Sequence, residues 1–353
     1  MKQLNNALNF MEDLVNFEKL NTEDQLKHCR KFVQESKYEN EISELVDIIN
    51  EVYFSSIEEK PKKWRKTLVS AGISLIALYL SFNFDPVLAL MLFITLSIHE
   101  LGHFIMQKKY SFKNVTITFY GPIGAAVSGV SKNNSASENF WMYIMGPLPG
   151  LIISFFIFLF LNFFSQESSD SLITNLHFFA VISLYINAFN LFPGGFLDGA
   201  KIFSVCFDKF PRFSWVMNIV LSILLLLYLS SQVYDCIIRS DIPGIVIIGV
   251  LCIALLWHFK SMLNSKIPTI TRIAAKTSQF LVERYGEIPN VIDYDIASYI
   301  FYQRENCERN DIYIHEVFAG VAIPPNEFQR KVYVMIYFSL IAFTWFMFYY
   351  FLK

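Results

Sequence analysis

A chain of 353 residues with 54% hydrophobic and 17% charged residues, 36 of them Phe, is too apolar for an ordinary soluble domain and reads as a polytopic membrane protein. A net charge of -2 with basic residues dispersed in short clusters argues against nucleic acid as a partner. The five Cys residues (Cys29, Cys206, Cys236, Cys252, Cys307) form no CxxC pair and read as free thiols.

Residues 1–65 place apolar side chains at helical spacing (Leu4, Leu8, Met11, Leu14; then Ile42, Leu45, Ile49, Val52), and Thr22 with Gln25 suits a capping box. The expectation is a cytoplasmic helical segment, with a partner-binding or membrane-surface arm as the alternative. The first residues are acidic and polar without a continuous apolar core, so no cleavable signal is expected and the amino terminus is assigned to the cytoplasm.

From residue 66 the apolar runs near 67–84, 86–107, 141–163, 173–192, 213–231, 243–259 and 331–352 are long enough to cross a hydrocarbon layer of about 30 Å. The fold class expected is therefore an all-α polytopic membrane protein of about seven transmembrane helices. Basic clusters at Lys60–Lys66, Lys108–Lys113, Lys201–Arg212, Lys260–Lys276 and Arg330-Lys331 fall on one side of that alternation, which sets them in the cytoplasm. Residues 114–130, "NVTITFYGPIGAAVSGV", alternate β-branched and small residues about a Gly-Pro turn. Such backbone at membrane depth must pack on protein or water, so a short membrane-associated β-hairpin beside the second span is expected. The domains are 1–65, a transmembrane core over 66–260, a cytoplasmic helical module over 261–330, and a last helix over 331–353.

The second span carries "SIHELGH". In a helix His99 and His103 lie four apart on one face, with Glu100 beside them, which is the HExxH arrangement of zinc hydrolases. Two hydrogen-bonded histidines and a snorkelling Glu at a helix end would show the same letters. Three ionisable residues in one span weigh against that, since each costs about 2.5 kcal/mol or more to insert. His99 precedes Lys108 by nine residues, or about 13 Å, which sets the group inside the bilayer near its cytoplasmic face.

Two helical His ligands need a third from another span. His177 and His258 stand alone in apolar surroundings, whereas Asp198 in "NLFPGGFLDGAKIF" follows a Pro-Gly-Gly break that frees room around its carboxylate on the same membrane side. At this point the residues resemble the site-2 proteases, intramembrane zinc metalloproteases. The resemblance rests on HELGH (99–103), "IMGPLPG" (144–150), the small-residue segment "GPIGAA" (121–126) and Asn190-x-x-Pro193-x-x-x-x-Asp198-Gly199, and it spans about 86–205. The flanks are not covered, no PDZ-like insert is present, and Phe196 and Ala200 depart from the family's usual residues.

The resemblance implies peptide-bond hydrolysis within the membrane, with Zn2+ held by His99, His103 and Asp198 and with Glu100 as general base. Asn190 is assigned either to a donor for the developing oxyanion and substrate strand or to a cap on the broken helix. The partners expected are a membrane protein or peptide substrate, the lipid bilayer, and a cytoplasmic protein on 1–65 or 261–330; composition points to a bacterial inner membrane. Two rivals stand beside this reading. One is a zinc protease of another class with Glu283, Glu287 or Glu305 as third ligand. The other is a non-proteolytic relative that binds and retains membrane clients, against which the intact Glu100 argues.

Overall fold

The computed structural model describes residues 22–35, 64–82, 85–130, 135–164, 171–239, 242–264, 276–281, 283–284, 294–306 and 325–352. Its elements run α1 (Thr22–Glu35), α2 (Trp64–Ser81), α3 (Pro86–Lys109), β1 (Lys113–Phe119), β2 (Ala125–Val130), α4 (Ala136–Ile144), α5 (Pro147–Phe164), α6 (Ser171–Asn190), α7 (Asp198–Cys206), α8 (Pro211–Ile238), α9 (Ile242–Asn264), α10 (Tyr294–Asn306) and α11 (Glu327–Phe351). They divide into two compact units, one of Met1–Glu58, Lys132–Ser135 and Lys266–Pro324, the other of Glu59–Ser131, Ala136–Ser265 and Pro325–Lys353.

In the first unit α1 packs on α10. Arg30 donates to both carboxylate oxygens of Asp295, at 2.7 and 2.6 Å, and Phe280 stacks on Tyr299 at 3.9 Å. Cys29 is fully buried, and burial together with the Asp295 charge pushes its thiol far above the usual range, so it stays protonated and inert. The periodic positions Leu4–Leu14 and Ile42–Val52, and Cys307, lie outside the described residues.

The second unit holds five helices long and apolar enough to cross a membrane: Pro86–Lys109, Ala136–Phe163, Ser171–Asn190, Arg212–Ile238 and Glu327–Phe351. The other two expected crossings, 67–84 and 243–259, are helical as α2 and α9, but α2 opens on Trp64-Arg65-Lys66 and α9 contributes only Leu251–Lys260 as a shorter apolar helix. The expected count of seven is thus met by five of these stretches among the described residues. The 141–163 run is a broken pair: it starts earlier, at Ala136, and α4 hands over to α5 at Gly146-Pro147. Proline at the first position of α5 has no amide hydrogen to give α4, so the chain restarts there.

α3 is started by Asp85, whose side chain accepts from the amides of Val87 and Leu88 at 2.9 and 3.0 Å, with Pro86 at the first turn, and it ends on Lys108 and Lys109, which suit the negative pole of the helix dipole. Its buried residues include Thr95, His99, Glu100, Gly102, His103 and Gln107, so a helix apolar nearly all round turns its polar side chains inward. The hairpin forms close to the expected bounds, with Thr116 paired to Ser128, Ile117 to Val127 and Thr118 to Ala126. It is pinned to α2: Thr67 Oγ1 donates to the Ile117 carbonyl, and the Phe119 and Gly121 amides donate to Ser70 Oγ and Ser74 Oγ. The main core joins α4, α5, α6, α7 and α11 through Phe140, Leu151, Leu184, Ile202 and Tyr337.

Candidate metal centre

Positions 99 and 103 lie one turn apart on α3, and their rings meet edge to face with centroids 4.9 Å apart. The third group arrives from a chain break. α6 ends at Asn190, the backbone turns through Pro193-Gly194-Gly195, and Asp198 opens α7. α8 steadies that turn: Ser222 Oγ and Asn218 Oδ1 accept from the Gly195 amide at 2.8 and 3.2 Å. α11 steadies its other side, since Tyr337 Oη donates to the Leu191 carbonyl at 2.8 Å.

The result is a tight triangle. His99 Nε2 and His103 Nε2 each lie 3.1 Å from Asp198 Oδ2 and 3.2 Å from one another, and the three residues are only 4%, 9% and 7% exposed. What faces into the triangle follows from the outer nitrogens. Asn187 Nδ2 donates to the Ser183 carbonyl at 2.7 Å, which turns its Oδ1 to His99 Nδ1 at 2.9 Å, so that nitrogen carries a hydrogen. His103 Nδ1 donates to the Met142 carbonyl at 2.8 Å. Each neutral imidazole therefore presents a lone pair from Nε2, and both lone pairs converge on a carboxylate oxygen. Three acceptors with no hydrogen among them repel unless a cation sits between. A tetrahedral ion with ligands at about 2.0–2.2 Å holds them about 3.3–3.6 Å apart, close to the spacing seen. Two imidazoles and one carboxylate fit a borderline ion with an open fourth position, and among the described residues this is the one group of three such side chains placed to bind a metal.

The "GPLPG" segment acquires a steric purpose here. A Cβ on Gly146 would stand 2.3 Å from His103 Nε2, and one on Gly150 would stand 2.0 Å from Asn187 Nδ2. The two glycines open the space in which one imidazole and the amide behind the other are seated.

Glu100, 5% exposed, lines with His99, His103 and Asp198 a cavity of about 620 Å³ whose wall also includes Val127 of β2. Asn190 lines the same cavity while its Nδ2 donates to the Ile186 carbonyl on its own helix at 3.1 Å. That bond occupies one amide hydrogen of a side chain that stands on the cavity wall. His177 lies beside Phe158 and His258 beside Phe196, both away from the triangle. Glu283 accepts from Gln279 in the other unit, Glu305 falls in α10 of that unit, and Glu287 lies outside the described residues. The residue that sequence reasoning missed is Asn187. Its only signal was a second Asn in an apolar span, three positions before Asn190.

Residues 87–169 match peptidase family M50, a stretch that contains HELGH and GPLPG and ends before Asp198. The chain is 31% identical over 126 residues to a zinc metalloprotease of Methanocaldococcus jannaschii, and the match covers 36% of each, so the chain spans about a third of that relative's length. A solved structure of a site-2 protease from the same organism superposes with a TM-score of 0.37 and 21% identity, over 55% of this chain and 88% of that one.

Proposed function

We propose that this chain, whose residues 87–169 match peptidase family M50, is a site-2-type protease: a zinc-dependent intramembrane endopeptidase cutting membrane-embedded or membrane-proximal chains. The observation that carries the reading is the convergence of His99 Nε2, His103 Nε2 and Asp198 Oδ2 in a buried cavity that also holds Glu100.

His99, His103 and Asp198 would hold the ion. When bound, zinc supplies Lewis-acid polarisation and brings the pKa of a coordinated water toward about 7. The remaining work falls to the chain's own side chains. Glu100 takes the proton of the attacking water and passes it to the departing amine, one carboxylate serving first as base and then as acid. Asn187 and the Met142 carbonyl keep both imidazoles in the tautomer that binds, and so act as positioning groups. Asn190, with one amide hydrogen on Ile186, offers its other hydrogen to a carbonyl oxygen gaining charge at the cavity wall.

A helical substrate hides its carbonyls in its own hydrogen bonds and must unwind before it is cut. β2, with one edge paired to β1 and Ala125, Ala126 and Val127 on the cavity wall, offers a strand edge to the unwound chain. Leu78, Leu92 and Leu96 make part of the cavity wall apolar. The topology we assign to this enzyme has seven crossings, a cytoplasmic amino terminus and residence in a bacterial inner membrane, with 1–65 or 261–330 as the region that meets a cytoplasmic partner.

The decisive variant is Glu100→Gln. It should keep one zinc per chain and lose turnover by about 10² to 10⁴. Persistent cleavage of a membrane client by that variant, at the parent's rate, refutes the general-base assignment.

A further inference from the structure

Gln107 does no work in the scheme above, yet it shares its cavity. It follows His103 by one turn on α3, is 6% exposed, and its Oε1 is buried without a hydrogen-bond partner. The amide lies against Gly129 of β2, where an added Cβ would come within 2.6 Å of Oε1. An apolar side chain of similar length would fill this place with no orphaned oxygen, so the oxygen calls for a donor brought by a visitor.

The geometry identifies the visitor. Glu100 sits against the Val127 backbone and Gln107 against Gly129, so β2 runs along α3 from the base toward Gln107. The seven residues from Glu100 to Gln107 span about 10 Å of helix, which is about three residues of extended chain. A carboxamide carries one acceptor and two donors, the complement of a peptide unit, and takes no account of side chains.

Resting on the metallopeptidase reading, we propose that Gln107 binds the backbone of the extended substrate about three residues from the bond that is cut, on the side toward Lys108 and Lys109. It holds any sequence in register with Glu100, and its contribution is to binding rather than to chemistry.

The test uses the full chain in bilayer nanodiscs with β-casein, and then a fluorogenic peptide copied from the casein bond cut fastest. In Gln107→Leu, KM should rise about tenfold while kcat and zinc content stay at the parent values. Replacing single peptide N–H groups of the probe by ester oxygens should raise the parent's KM most at one position about three residues from the cut, and that penalty should vanish in Gln107→Leu. Gln107→Met serves as a second variant of different shape, and zinc content with Tm shows that each has folded. An unchanged KM in both, or an ester penalty that survives the substitution, overturns the proposal while leaving the protease reading intact. Failure of the parent chain to cut either probe counts against the protease reading and this proposal together.

Discussion

The three side chains proposed to hold the metal are positioned in two different ways. His99 and His103 sit on one continuous helix whose own periodicity sets them 3.2 Å apart at Nε2, and each ring is fixed by a single outer hydrogen bond. Asp198 has no such scaffold. It stands at the first turn of a short helix after a broken stretch, and its place depends on hydrogen bonds from α8 and α11, residues far away in sequence. The pair is local and robust, while the third ligand is assembled from across the unit. Perturbations of α3 should therefore act on the ring nitrogens one at a time, whereas perturbations around Asp198 should act through distant contacts.

The largest effect tests the third ligand itself. Asp198→Ala removes the only anionic donor of the triangle, and metal analysis of the purified chain should fall from one ion per chain to near none, with turnover below about a thousandth of the parent's. An unchanged metal-to-protein ratio would place the third ligand elsewhere and dissolve the comparison.

Next comes the helix-borne half. Asn187→Leu removes the acceptor of His99 Nδ1 and frees the ring to rotate or switch tautomer. Loss of such an outer partner costs about 10–100-fold in metal affinity or activity, measurable by zinc competition with a chromophoric chelator. Affinity equal to the parent's would mean that α3 alone orients its histidines.

Asn187 also shows where sequence reading stops. HELGH was legible because both imidazoles lie on one helix, and a spacing of four is a geometric statement before any fold is known. Asp198 was legible because Pro193-Gly194-Gly195 announces a break just ahead of a carboxylate in an apolar run. The hairpin showed itself by alternation. The division of labour between Asn187 and Asn190 was not visible, because both occupy the end of α6 and only the tertiary contact with His99 separates them. The break between α4 and α5 was hidden for a similar reason. The segment "IMGPLPG" stood out only as part of the resemblance, and the use of Gly146 and Gly150, to seat His103 and Asn187, exists only once α3, α5 and α6 are packed.

A smaller effect is expected on the assembled half. Tyr337→Phe leaves the Leu191 carbonyl without its donor inside the core, at a cost of about 1–3 kcal/mol. Since Leu191 begins the stretch that ends at Asp198, zinc affinity should drop several-fold together with Tm. A fall in Tm with unchanged zinc affinity would show that α8 alone positions the carboxylate.

The smallest effect concerns the far end of α7. Arg330 of α11 forms a two-pronged ion pair with Asp208, through Nε to Oδ1 and through Nη2 to Oδ2, and it also donates to the Pro325 carbonyl at 3.0 Å. The side chains are 15% and 23% exposed, so the pair is only partly shielded from solvent, and Arg330→Gln should cost about 1–2 kcal/mol. Asp208 lies beyond Cys206, the last residue of α7, so this contact ties α11 to the end of the helix remote from Asp198. Tm should fall by a few degrees while zinc affinity and kcat hold. If zinc affinity fell as far as in Tyr337→Phe, α7 would be moving as a rigid rod under α11, and the carboxylate would be steered from both of its ends rather than from the loop alone.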